Sequence, residues 1–205
     1  MPKVLVLFAH PALEHSRINR AMISGHEHWV DVTFHDLYQL YPDFVINVQT
    51  EQRLLLQHDI VIWHHPLYWY SVPPLLKQWI DLTLQHGWAY GHSGVFLKDK
   101  PVLNVITAGG GREAYAAGGH NAYTLQQFLY PLERTAALCG MRYLPPYVVY
   151  GTHAIQGEAV AEECRRYKAF VNGLARGTIT PEELAGLGEC HEVFDHVSDK
   201  VMSHG

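Results

Sequence analysis

The sequence predicts an α/β fold, a parallel five-stranded sheet held between two helical layers. Three observations point there. Short apolar runs at 4–9, 59–63 and 102–106 read as strands covered on both faces. Stretches with helical spacing alternate with them, which implies βαβ units. A chain of 205 residues, 48% of them apolar, suits one domain with a sizeable core.

The elements follow in order. The first strand covers 4–9 and a helix spans 17–27. The second strand, 30–34, alternates apolar and polar residues, so one face is wet and it belongs at the sheet edge. A helix over 48–57 leads to the third strand, 59–63. Pro66 has no N–H to donate and marks a break in strand pairing. Pro73 and Pro74 suit the first turn of a helix over 74–85, with Ser71 as its cap. Leu75, Leu76, Trp79, Ile80 and Thr83 then recur at helical spacing. The fourth strand covers 102–106, a helix 123–139, the fifth strand 147–150 and a last helix 157–174.

An outer second strand beside a central first one, with right-handed crossovers, gives the order 2-1-3-4-5. That is the flavodoxin-like three-layer sandwich. Its crevice lies between the ends of strands one and three, at Ala9-His10 and His64-His65-Pro66. The domain is expected to occupy 1–177, and 178–205 to form an extension without its own core.

A formal charge of −5 gives no basic face for nucleic acid. No run reaches the apolar length that crosses a bilayer, and no signal peptide is expected at the start. Cys139, Cys164 and Cys190 are odd in number and widely spaced, which suits free thiols in a reducing compartment. Most of the 15 histidines read as surface and loop residues. Cys190-His191 with His196 is the nearest approach to metal-ligand spacing, but it lacks a second cysteine, so no metal is expected.

Three loops fall on the same edge of the sheet. The first carries Ser16, Arg17 and Asn19 at a helix start, where free N–H groups and the dipole favour a phosphate. It matches neither the dinucleotide fingerprint nor the P-loop. The second is the aromatic stretch Leu67-Tyr68-Trp69-Tyr70. The third is Thr107-Ala108-Gly109-Gly110-Gly111, whose glycines let a backbone approach a ligand closely. A phosphate seat, a flat ledge and a glycine wall together suit FMN. Taken singly, each loop also reads as an ordinary cap, aromatic patch or flexible turn.

The run Pro66-Leu67-Tyr68-Trp69-Tyr70-Ser71-Val72-Pro73-Pro74-Leu75-Leu76-Lys77 resembles the flavin loop of NAD(P)H:quinone oxidoreductases of the DT-diaphorase type. The segments Leu37-Tyr38-Gln39-Leu40-Tyr41-Pro42-Asp43-Phe44 and His86-Gly87-Trp88-Ala89-Tyr90-Gly91 are similar to the KefF and KefG ancillary proteins of glutathione-regulated potassium-efflux systems. The resemblance runs from Val4 to about Lys168.

It implies a homodimer with FMN at each subunit interface. The phosphate end would meet His10, Ser16, Arg17, Ile18 and Asn19. The rings would lie along Pro66, Leu67, Tyr68, Trp69 and Tyr70, against Thr107, Ala108, Gly109 and Gly110. Ala108 stands where the family often has a second threonine. Tyr115 and His120 match in type the catalytic Tyr and His, one residue closer together than in the family. NADPH or NADH would be the donor and a quinone the acceptor. A cytoplasmic protein, docked peripherally on a potassium/proton antiporter at the inner face of the membrane, is implied as well. Two rival readings are a purely regulatory antiporter subunit and an electron-carrier flavodoxin. The second wants a stronger surface acidity than this charge.

Overall fold

The computed structural model describes residues 1–194. Six parallel strands form one sheet: β1 Val4–Phe8, β2 Val32–Asp36, β3 Ile60–Pro66, β4 Pro101–Thr107, β5 Arg142–Tyr143 and β6 Tyr147–Val149. The order is β2-β1-β3-β4-β5, with β6 also on β4. The fold is the flavodoxin-like one. Its fifth position is shared by two short strands: β5 pairs with Pro101 and Val102, β6 with Val105 to Thr107. Pro145 and Pro146 stand between them and supply no N–H to the ladder.

Among the described residues α1 Arg17–Ile23, α2 Leu37–Leu40, α3 Val48–Gln57, α4 Pro74–Thr83 and α5 Leu125–Leu138 lie between strands, and α6 Glu158–Arg176 and α7 Pro181–Leu184 follow the last one. Side chains alternate across β1. Leu5 and Leu7 face α3, α4 and α5, while Val4 and Val6 face α1 and α6. All five residues of β1 are buried, as a strand covered on both sides requires.

Several expected boundaries move. The second strand starts at Val32, because Asp31 takes a positive φ of 58° and turns the chain just before it. It stays half-buried along its length, as an edge strand does. The first helix stops at Ile23, and Gly25, at φ 80°, leads into a short 3-10 turn at His26–His28. Ser71 does not cap α4; Pro73 holds that position with no side-chain bond.

The third strand does not stop at Trp63. It continues through His64 and His65, both fully buried, to Pro66. Ala9 N–H donates to the His64 carbonyl at 2.9 Å, and Leu67 N–H donates to Thr107 at 2.9 Å. His64 therefore faces β1 and Leu67 faces β4. The Pro66 nitrogen points toward β1 beyond that strand's last pairing, so its missing donor costs nothing.

The segment after Gly177 adds to the domain's core. Ile179, Leu184, Cys190 and Val193 are buried in the α6-side cluster. Cys139, Cys164 and Cys190 are free. Among the described residues no group of three His, Cys, Asp or Glu side chains can hold a metal, and His196 lies outside them. None of the described helices is long and apolar enough to cross a membrane.

Candidate functional site

After β1 the chain makes a 3-10 turn at Leu13–His15 and enters α1. Ser16 caps that helix, its Oγ accepting from the Asn19 N–H at 3.3 Å. Arg17 and Ile18 occupy the first turn, where backbone N–H groups have no carbonyl one turn back. The Arg17 guanidinium donates to the carbonyls of Thr152 and Ile155, so it bridges this turn to the loop after β6.

Asn19 is buried, and its amide is used inward. Nδ2 donates to Ser16 Oγ at 2.9 Å and to Thr107 Oγ1 at 3.0 Å. Oδ1 accepts from His64 Nε2 at 3.2 Å, and His64 Nδ1 accepts from the Tyr167 hydroxyl at 2.9 Å. Burial, with His65 and His10 nearby, pushes the His64 imidazole well below its usual pKa, so the ring is neutral and this pattern is its one consistent tautomer. Asn19 thus braces the Ser16 turn against the sheet.

His10 is also buried and neutral. Burial lowers its pKa, partly countered by Glu14. Its Nδ1 accepts the Ala12 N–H at 3.2 Å, which leaves the proton on Nε2, 3.5 Å from the Tyr68 hydroxyl.

Tyr68 and Ser71 close a two-residue turn through backbone bonds of 3.1 and 3.0 Å. Between them Trp69 and Tyr70 sit at φ 48° and 65°. Such a turn ordinarily takes Asn-Gly. Two aromatic residues there store roughly 1–3 kcal/mol each. The result lifts Trp69 to 93% exposure. Tyr70 stacks on Phe128 at 4.8 Å between centroids.

The wall follows β4. Ala108 N–H donates to Val149 at 2.9 Å, and its carbonyl accepts from Thr152 at 3.1 Å. Gly109 lies under His153: a Cβ there would sit 2.4 Å from the imidazole Nε2. Gly110 lies under Tyr115, with 3.3 Å between a built Cβ and the ring. Burial raises the Tyr115 pKa, and nearby Tyr70 adds to the rise.

These segments enclose a cavity of about 410 Å3 at the carboxyl ends of β1 and β3. Sites for small organic ligands span roughly 300–1,000 Å3. Its polar end is formed by His10, Ser16, Arg17, Ile18 and Asn19, its flat side by Pro66, Leu67 and Tyr68, and its wall by Thr107 and Gly109. Ala108 and Gly110 continue the wall outside the lining. Trp69 and Tyr70 stand beyond the rim. Tyr115 reaches the wall only through Gly110, and His120 is exposed on the following loop.

Ala12, His15, Thr152 and His153 also line the cavity. Sequence reasoning missed them, yet Thr152 and His153 follow β6 and so had to emerge at the same sheet edge. A larger cleft of about 740 Å3 lies beyond Tyr115, against α5 and the segment after Gly177. Glu133, Glu189 and Glu192 line it against one cation, Arg112, which Glu189 already pairs, so its net charge opposes a phosphate. The smaller cavity offers the Arg17 cation, the hydroxyls of Ser16, Tyr68 and Thr107 and first-turn N–H groups beside a flat side. That donor set fits FMN.

The flavodoxin-like fold family matches residues 2–171. The chain is 42% identical over 165 residues to the glutathione-regulated potassium-efflux system ancillary protein KefF of Klebsiella pneumoniae strain 342, spanning 80% of this chain and 92% of that relative. General stress protein 14 of Treponema denticola, solved in complex with FMN, is 35% identical with a TM-score of 0.79, over 84% of this chain and 99% of that one. An NADPH-quinone reductase from P. pentosaceus is 33% identical with a TM-score of 0.74, over 82% and 96%.

Proposed function

This chain belongs to the flavodoxin-like fold family, and on that premise we propose that it is an FMN-dependent reductase carrying two electrons from NAD(P)H to a quinone. The observation that carries this is the cavity of about 410 Å3, where the loops after β1, β3 and β4 meet as a polar seat beside a flat ledge. The FMN complex of the Treponema denticola neighbour and the quinone-reductase neighbour support the same reading.

Bound at this cavity, FMN would supply two-electron redox chemistry between a nicotinamide and a quinone. The chain's own work is placement. Ser16, Arg17 and the first-turn N–H groups would hold the FMN phosphate. His10 and Asn19 fix that turn from below. Leu67 and Tyr68, with Trp69 and Tyr70 at the rim, support the ring system. The backbone of Thr107 to Gly110 would flank its other edge. Tyr115, protonated at neutral pH and packed behind Gly110, and His120, on the exposed loop after it, would be the donors to an acceptor oxygen that enters over the wall. Donor and acceptor use one slot in turn, so the kinetics are ping-pong. Two copies of the chain pair, each completing the other's slot.

The KefF likeness supports a second role, that of an ancillary subunit docked on the cytoplasmic side of a potassium/proton antiporter. An absorption spectrum tests the main reading. Flavin bands should bleach anaerobically with NADPH and return with a quinone. A colourless preparation that refuses added FMN would overturn it. A variant without FMN that still activated efflux would leave the ancillary role alone.

A further inference from the structure

The family match ends at residue 171, but the chain packs on. After Gly177, Ile179 tucks beneath Gly173, where a Cβ would fall 2.7 Å from its Cδ1. Arg142 pairs with Glu182 at 2.6 Å. Cys190 N–H donates to the Pro146 carbonyl at 2.9 Å, and its Sγ lies 2.8 Å from the Pro145 oxygen. The segment is therefore anchored to the β5–β6 link.

From that anchor Glu189 reaches the loop after β4. Its carboxylate takes both arms of Arg112, at 2.6 and 3.0 Å, and also accepts the Tyr150 hydroxyl at 2.9 Å. His191 stands 3.1 Å from the same guanidinium and 3.3 Å from the same carboxylate. The Arg112 guanidinium lies over the Tyr150 ring at 4.8 Å. The Tyr150 ring contacts Tyr115 at 5.9 Å between centroids. Tyr115 in turn covers Gly110 of the cavity wall.

We propose that the segment after Gly177 is a strut on the cavity wall, with Glu189 as a positioning residue that holds Arg112 and Tyr150 and, through them, Tyr115. The fork-on-fork geometry carries the argument. A bidentate guanidinium–carboxylate pair fixes orientation as well as distance. The Glu189 side chain is 12% exposed and that of Arg112 55%, so the carboxylate end of the pair is the shielded one, and it is fixed further by the Tyr150 hydroxyl. Without that pair the four-residue 3-10 turn Arg112–Tyr115 keeps its own short bonds, the Asn121 N–H on the Ala114 carbonyl and the packing of Tyr115, but loses its bidentate tie to the segment after Gly177.

The role of the strut in turnover rests on the reductase reading; the hold on the loop does not. Two arms separate them. In the first, hydrogen exchange is followed in the full chain without added flavin, for the wild type, Glu189→Gln, Arg112→Met and the double variant. Each single change should speed exchange across residues 111–116 about fivefold, and the double variant should add little, as coupled partners do. Exchange in β4 should not change. Unchanged exchange in 111–116, or fully additive effects, would overturn the proposal.

In the second arm, Glu189→Gln is loaded with FMN. The dissociation constant of FMN should stay within about twofold, because the phosphate seat is remote, while kcat falls several-fold. An equal loss of FMN affinity would place Glu189 at the seat and overturn the positioning role. A wild type that neither binds FMN nor turns over would defeat the reductase reading and leave the exchange result standing on its own.

Discussion

Asn19 Nδ2 lies 3.0 Å from Thr107 Oγ1 and joins the first turn of α1 to the end of β4, 88 residues away in the chain. The bond ties the phosphate end of the cavity to its wall. It also means that Asn19 serves the site by holding Ser16 and Thr107 in place, since both ends of its amide are already used.

Asn19→Leu should therefore be costly. It strips partners from the His64 Nε2–H and the Thr107 hydroxyl, each worth about 1–3 kcal/mol when left unsatisfied in the interior. We expect a clear fall in thermal midpoint and a matching loss of FMN affinity. Stability unchanged within about 0.5 kcal/mol would contradict the network.

Arg17→Met separates the phosphate from the rings. It should weaken FMN about tenfold, the effect of some 1.4 kcal/mol, and leave riboflavin, which has no phosphate, nearly unaffected. Titrations with the two flavins check this, and an equal effect on both would remove Arg17 from the phosphate end.

Trp69 sits in a strained backbone and touches little, so Trp69→Asn should relieve strain. We expect the thermal midpoint to rise, by an amount equivalent to about 1 kcal/mol, while quinone turnover drops. Steady-state kinetics and calorimetry on one preparation read both. A variant both less stable and fully active would contradict the turn geometry and the ledge together.

Glu51 is wholly buried and fully partnered. Burial pushes its carboxyl up, but His35 at 3.0 Å, Tyr41 and Trp79 Nε1 at 2.7 Å together hold it below its usual value. Glu51→Ala leaves three polar groups in a cavity and should cost about 3–5 kcal/mol. Chemical denaturation measures it, and a loss under 1 kcal/mol would contradict the network.

Acid should weaken the fold well above the carboxylate range. His10, His58, His64 and His65 are all held below their ordinary pKa by burial. Below about pH 6.5 the unfolded chain binds protons there that the folded chain refuses. Each such ring costs up to about 1.4 kcal/mol per pH unit in that window. Stability should be full above pH 6.5 and decline toward pH 5; a flat profile would show that these rings ionise in place. Glu51, held low, acts only below its own ordinary range.

The sheet was legible along the chain because β1, β3 and β4 are buried on both faces. That burial writes continuous apolar runs, and their alternation with helices leaves few topologies. The three loops of the cavity were legible because parallel strands deliver their carboxyl ends to one edge. Chain-local signals set no limit on long-range pairing, and there the reading stopped short. His64 and His65 looked like loop residues until β4 was seen to run beside them to Thr107. The inward use of Asn19, the approach of His153 to Gly109 and the grip of Glu189 on Arg112 each join residues dozens of positions apart. No periodicity encodes such contacts; they exist only once packing has brought the elements together.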